Sequence, residues 1–157
     1  MSDVYVIGVS CTPFGKQADK TFKDLTRDAF MGLLSDTGAD VAHQIEQAWF
    51  GNCGMGTFGQ RNIRGQVCFT PLVREGIFPE RVPLINVEGG CATASMAFHG
   101  AYKDILSGEC ELSLAMGVEK TFFPGDQAFE NTLSIQVRQL TGHQVGNLLK
   151  DTFFAAA

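Results

Sequence analysis

The sequence is short of charge and has no concentration of cations. Of its 157 residues only 18% are charged, and 12 basic residues are outnumbered by 17 acidic ones for a net charge of −5. A protein that grips a nucleic-acid backbone needs a local surplus of Lys and Arg. No such cluster occurs, so nucleic-acid binding is not expected. Long apolar runs are missing as well, and none approaches the roughly 18 residues that cross a bilayer, so no membrane span is expected. The N-terminus lacks a charged stretch followed by an apolar one, so no secretory leader is expected. The final Ala155-Ala156-Ala157 is no peroxisomal or retention address. The five cysteines (Cys11, Cys53, Cys68, Cys91, Cys110) are odd in number and include no Cys-x-x-Cys pair. That argues against a zinc site and a disulfide framework, and reduced thiols point to the cytoplasm.

What is present is a core, with 45% hydrophobic residues, too many for a disordered chain. Val4 to Val9 is a β-branched apolar run and reads as a buried strand. Phe22, Leu25, Ala29, Phe30 and Leu33 recur at helical spacing over 21–34, with Gly38 as a stop signal. A short helix is expected over 40–47, a strand over 48–51 and a glycine-rich loop over 51–59. A helix over 60–75, despite Pro71, is followed by a strand over 82–88, a helix over 92–106 and a strand over 112–118. Alternating strands and helices predict an α/β fold with a mostly parallel sheet. Residues 1–121 carry this pattern. Over 122–157 it weakens, punctuated by Pro124, Gly125, Gly142 and Gly146. The stretch from Leu148 resembles a helix just begun, so the end reads as a cut through a longer domain.

The strongest local feature is Asn86-Val87-Glu88-Gly89-Gly90-Cys91-Ala92-Thr93-Ala94-Ser95. A strand turns through two glycines onto a cysteine that opens a helix. Unpaired N–H groups and the positive end of the helix dipole converge there, which favours a thiolate and a nearby oxyanion. This is the arrangement of a nucleophile elbow with Cys91 as the nucleophile. The helix behind it is rich in small residues (Ala92, Ala94, Ser95, Ala97, Gly100, Ala101), which predicts a central, buried helix. The plainer reading is that Cys91 only fills a tight turn, the usual fate of a free cysteine.

Gly54-Met55-Gly56-Thr57-Phe58-Gly59 matches the dinucleotide-binding G-x-G-x-x-G. The acidic residue that should follow about 20 positions on is misplaced, with Glu80 in a loop and Glu88 too far. A glycine loop is the better reading; the alternative predicts NAD(H) binding that quenches Trp49. A base for Cys91 must come within hydrogen-bond reach. His99 lies roughly 12 Å further along the same helix, His43 belongs to an early helix, and nothing ties His143 to Cys91. Cys110 sits between carboxylates, which disfavours a thiolate. Cys11, Cys53 and Cys68 show no activating setting, so these four are expected to be structural.

Several ordered motifs resemble the thiolase superfamily. They are the opening Val4 to Lys16, then Gly51-Asn52 with Gly59-Gln60-Arg61-Asn62-Ile63-Arg64, then Asn86 to Ser95, and Ala115-Met116-Gly117-Val118-Glu119-Lys120-Thr121. The Val-Glu-Gly-Gly-Cys-Ala-Thr wording is most similar to sterol-carrier-protein-type thiolases and bacterial acetyl-CoA acetyltransferase-like proteins. The resemblance implies a thiolase-like N-terminal half, a mixed, mostly parallel sheet with helices on both faces. It implies an α/β core over 1–121 and the start of an incomplete loop domain over 122–157. It implies that Cys91 takes an acyl group from a coenzyme A thioester, which is substrate rather than cofactor, to form or cleave a 3-oxoacyl-CoA. It implies a homodimer with the strand before Cys91 near the interface. A small zinc-ribbon/OB-fold acyl-CoA-binding subunit is a partner of several sterol-carrier-type relatives. The family's second half supplies an activating histidine and a second cysteine, and neither motif occurs here. The chain alone is therefore expected to be inactive, and no coenzyme A contacts are assigned. A thiolase-like CoA-ester lyase or aldolase and a non-catalytic thiolase-like subunit stand as alternatives.

Overall fold

The computed structural model describes residues 3–121, which lie on one side of a division of the chain between Phe122 and Phe123. The expectations placed on 122–157, including the loop domain and His143, fall outside the described residues.

Three short apolar segments form a parallel sheet: β1 (Gln47–Gly51), β2 (Leu84–Val87) and β3 (Ser113–Gly117), in the spatial order β2-β1-β3. Trp49 stands opposite Ile85 on one side and Ala115 on the other. Parallel strands need long connections: helix α2 (Arg64–Arg74) is carried between β1 and β2 and α3 (Thr93–Ser107) between β2 and β3, while α1 (Phe22–Thr37) precedes β1. Successive side chains of a strand point to opposite faces, and β1 displays this at Trp49 and Phe50. Phe50 stacks edge-on against Phe69 of α2 at 6.0 Å between ring centroids. On the other face the Trp49 indole lies on Gly100 of α3, where any Cβ would run into the ring. Helices thus cover both faces of a mostly parallel sheet, as the motifs implied.

The main core lies under α1 and α2. Phe30, Phe69 and Phe78 form an aromatic triangle with centroids 4.5–5.8 Å apart, closed by Leu72, Ile45 and Phe50. Such tilted and edge-on pairs add to the free energy of simple area burial. The α3 face is more polar: Trp49 Nε1 donates to the buried Asp104 carboxylate at 2.6 Å, and Ser113 Oγ donates to the same oxygen at 3.0 Å.

Several expectations need correction. Residues 4–9 do not form a buried strand; Tyr5, Val6, Ile7 and Val9 are 58–76% exposed. A strand needs a neighbour for its hydrogen bonds, and among the described residues this segment has none. It is fastened instead by Val9 N–H to Asp36 at 2.9 Å. The short helix expected over 40–47 is a 3-10 turn, Ala39–Gln44. The helix expected from residue 60 starts only at Arg64, and it continues through Pro71 to Arg74. Finally, α3 buries one face alone, through Thr93, Ala97, Gly100, Ala101 and Asp104. Met96, Phe98, Tyr102 and Leu106 are exposed among the described residues, so the helix is not buried all round.

Candidate active site

Ligand sites on parallel sheets lie beyond the carboxyl ends of the strands, and here those ends are cross-linked by side chains. Asn52, buried just after β1, donates from its Nδ2 to Val118 O at 2.6 Å and accepts from Met55 N–H at 3.0 Å. Glu119, just past β3, accepts from the backbone N–H groups of Cys53 and Gly54, the latter at 3.0 and 3.2 Å. Burial pushes the Glu119 carboxyl up from its usual range, while these amides and Arg64 pull against it. Lys120 is buried nearby and donates to the carbonyls of Gln17, Ala18 and Lys20.

These contacts decide the reading of the glycine loop. Residues Gly54–Phe58 form a 3-10 turn, and the amides of Cys53, Gly54 and Met55 are all bonded to oxygens of the chain itself. A dinucleotide site would need such amides for a pyrophosphate. The loop is a structural brace between β1 and β3.

Cys91 lies beyond β2, in a 3-10 turn Gly90–Ala92 that leads into α3. Gly90 makes the turn at φ +56°, in the region that favours glycine. Cys91 is exposed, which is at odds with a cysteine that merely fills a tight turn. One expectation fails in detail. The amides of Gly89, Ala92 and Thr93 are not open: Gly89 N–H donates to Thr93 Oγ1 at 2.9 Å, Ala92 N–H to Gly89 O at 3.0 Å, and Thr93 N–H to Gly90 O. Thr93 Oγ1 in turn donates to Gly90 O at 2.7 Å, so the turn is knitted from within.

Two charged residues flank this turn that the sequence reading did not single out for chemistry. Arg64, the first residue of α2, pairs with Glu88 at 2.7 Å. Its side chain is only 12% exposed. The same guanidinium acts on the Cys53 thiol and on Glu119. Cys53 is held above the usual thiol range by burial first, then by Glu119 and Glu88, with Cys91 also within electrostatic reach. Cys68 and Cys110 are buried, and burial raises both thiols; Cys11 is exposed. His99 stacks on Tyr102 at 6.4 Å in α3, and the His43 carbonyl accepts from Arg81. Neither contact offers a base to Cys91. Among the described residues, no group of three or more His, Cys, Asp or Glu could hold a metal ion. No helix among them is long and apolar enough to cross a membrane. A groove of about 470 Å³ beside α2, lined by Gln66, Phe69, Thr70, Val73, Val82 and Leu84, does not include Cys91.

Comparison with known proteins agrees with this geometry. The profile of the thiolase N-terminal domain matches residues 4–152. An acetyl-CoA acetyltransferase of Methanothermobacter thermautotrophicus is 33% identical over 121 residues, 76% of this chain and 30% of that protein. The benzoylsuccinyl-CoA thiolase subunit BbsB of Thauera aromatica is 32% identical over 116 residues, 74% of this chain and 28% of its own length. Human sterol carrier protein 2 is 34% identical over 122 residues, 74% of this chain and 20% of its own. The chain therefore spans less than a third of the length of these relatives. With a parallel sheet, helices on both faces, an exposed cysteine on a double-glycine turn and a profile match over nearly its whole length, the chain belongs to the thiolase family as its N-terminal domain.

Proposed function

We propose that the protein is an acyl-CoA C-acyltransferase that forms or cleaves a 3-oxoacyl-CoA through an acyl-enzyme on Cys91. The observation that carries this is an exposed thiol on an internally hydrogen-bonded turn at the carboxyl end of a parallel sheet, in a domain of this family. In the loading step the Cys91 sulfur attacks the thioester carbonyl, the bond to the coenzyme A sulfur breaks, and the thiol proton ends on the departing sulfur. One thioester replaces another, so little free energy is lost and the step is reversible. An oxyanion donor within the turn is limited by the pairing of Gly89, Ala92 and Thr93 N–H groups. The base and the residue that moves the substrate α-proton are assigned to a part of the protein beyond the described residues, as the resemblance implies. The substrate is a coenzyme A thioester and no cofactor is assigned.

A homodimer is favoured by β2, which has one neighbour in the sheet among the described residues and leads directly into Cys91. Free cysteines are consistent with the cytoplasm. One relative is by name a subunit, which supports a second reading: the chain works beside a different chain that completes the site, such as an acyl-CoA-binding zinc-ribbon/OB-fold protein.

Denaturing intact-mass spectrometry of the native protein, with and without acetyl-CoA or a 3-oxoacyl-CoA, tests the reading. An acyl adduct that disappears in Cys91→Ala is expected. No adduct on the complete protein, or one that persists in Cys91→Ala, overturns it. Full turnover by Cys91→Ala would favour the lyase or aldolase alternative.

A further inference from the structure

We propose that Arg64 is a positioning residue for the Cys91 turn, acting through its ion pair with Glu88. Arg64 stands where local physics does not want it. It is the first residue of α2, whose N-terminus carries the positive end of the helix dipole and has no acidic residue in its first turn. The preceding Ile63 makes no side-chain cap and sits at φ +47°, ψ +39°, a left-handed conformation that β-branched residues rarely adopt. Three local rules are broken at one helix start, which is typical of functional or strained sites.

The result is a guanidinium paired with the residue that leads into the Cys91 turn. The helix start is locked laterally: Asn86 Oδ1 accepts from Gly65 N–H at 2.6 Å, Asn86 Nδ2 donates to Gln66 Oε1 at 2.8 Å, and Gln66 Nε2 donates to Leu84 O at 2.9 Å. Gly65 lies so close to β1 that a Cβ would sit 2.8 Å from Phe50 Cβ. Arg64 therefore has a fixed base, and its nearly buried side chain meets Glu88 at 2.7 Å. Glu88 immediately precedes Gly89-Gly90-Cys91. Thr93 ties the inner side of that turn; the Arg64–Glu88 pair fastens its entry. Two consecutive glycines would otherwise leave the sulfur's direction loosely defined. Arg64 also acts electrostatically on Glu119, which its charge pulls down against the effect of burial.

The proposal rests on the acyl-enzyme reading for one of its readouts only. Arg64→Ala, Arg64→Lys, Glu88→Gln and the charge-swapped pair Arg64→Glu with Glu88→Arg would be compared in the complete protein. The first readout is the rate of Cys91 acylation by acetyl-CoA, set against its alkylation by iodoacetamide, which needs an accessible thiol and little alignment. Arg64→Ala and Glu88→Gln should slow acylation by roughly 10–100-fold while alkylation changes by less than about twofold, and the swapped pair should recover most of the acylation. The second readout is amide hydrogen exchange over residues 86–95, faster in Arg64→Ala and Glu88→Gln, closer to the unaltered protein in the charge-keeping Arg64→Lys, and slower again in the swapped pair. Unchanged exchange and acylation in Arg64→Ala overturn the proposal, as does equal loss of both thiol reactions, which would mean general damage. If the unaltered protein is never acylated, the acyltransferase reading fails, and exchange with its rescue in the swapped pair still decides the role of Arg64.

Discussion

Helices α1 and α2 pack against each other on one face of the sheet, yet they begin in opposite ways. The start of α1 is self-sufficient. Thr21 Oγ1 accepts from Asp24 N–H at 3.2 Å, the Asp24 carboxylate accepts from Thr21 N–H at 2.8 Å, and the acidic residue sits at the positive helix end. The start of α2 has no side-chain cap, a left-handed isoleucine and a cation. Its order is imported from elsewhere in the chain, chiefly from Asn86 and Glu88 on the β2 side. A helix that only supports a core can be built from local rules. One that must aim a charge at a neighbouring turn is held by tertiary contacts, and the local rules give way.

The comparison is sharpest if the borrowed contacts are removed. Asn86→Ala takes away an acceptor for Gly65 N–H and a donor to Gln66. In this half-buried setting, two lost bonds with partners left behind should destabilise the protein by about 2 kcal/mol, read from the urea midpoint. Amide exchange should rise first over 63–68 and 86–92. If the loss were spread evenly over the fold, α2 would not depend on this anchor and the contrast between the helices would fall.

The same contrast explains what was legible in the sequence. The Cys91 turn was readable because its signal is local: strand, two glycines, cysteine and small residues stand in one run. The Thr21–Asp24 start of α1 is equally local. The role of Arg64 was not readable, because its partner Glu88 lies 24 residues on, just past β2, and the pairing exists only once the start of α2 is packed against β2. Apolar spacing also drew α2 back to residue 60, whereas the left-handed Ile63 delays it to Arg64. The G-x-G-x-x-G match is rightly read as a glycine loop, but what the loop does was not legible: the oxygens that occupy the Cys53 and Gly54 amides come from Glu119, distant in sequence. Val4–Val9 has strand-like composition, but a strand also needs a neighbour that composition does not supply.

A smaller effect is expected at the locally built helix. Thr21→Ala removes one half of the capping box and should cost about 1 kcal/mol. Asp24 is held below the usual carboxylate range, first by its hydrogen bonds with Thr21. A lowered folded value means stabilisation present above the unfolded carboxylate range and lost as pH falls through the folded one. Thr21→Ala should therefore flatten the stability profile on the acid side. Urea titrations between pH 7 and pH 3 would show the two proteins converging as Asp24 protonates; a constant gap would remove Asp24 from the capping interaction.

The smallest effect runs the other way. Ile63 is 60% exposed, so its side chain has little burial to offset its backbone. A left-handed conformation costs an L-residue roughly 1–2 kcal/mol. Glycine removes that cost but adds chain entropy of roughly 0.5–1 kcal/mol. Ile63→Gly should thus stabilise the protein by about 0.5 kcal/mol, seen as a small rise in the urea midpoint. The same change should soften the base on which Arg64 stands, so hydrogen exchange at Gly65 should quicken while global stability rises. That combination separates strain kept for positioning from strain that merely persists. A destabilised Ile63→Gly would mean that the isoleucine makes contacts worth more than its strain, and the start of α2 would then be stabilised locally after all.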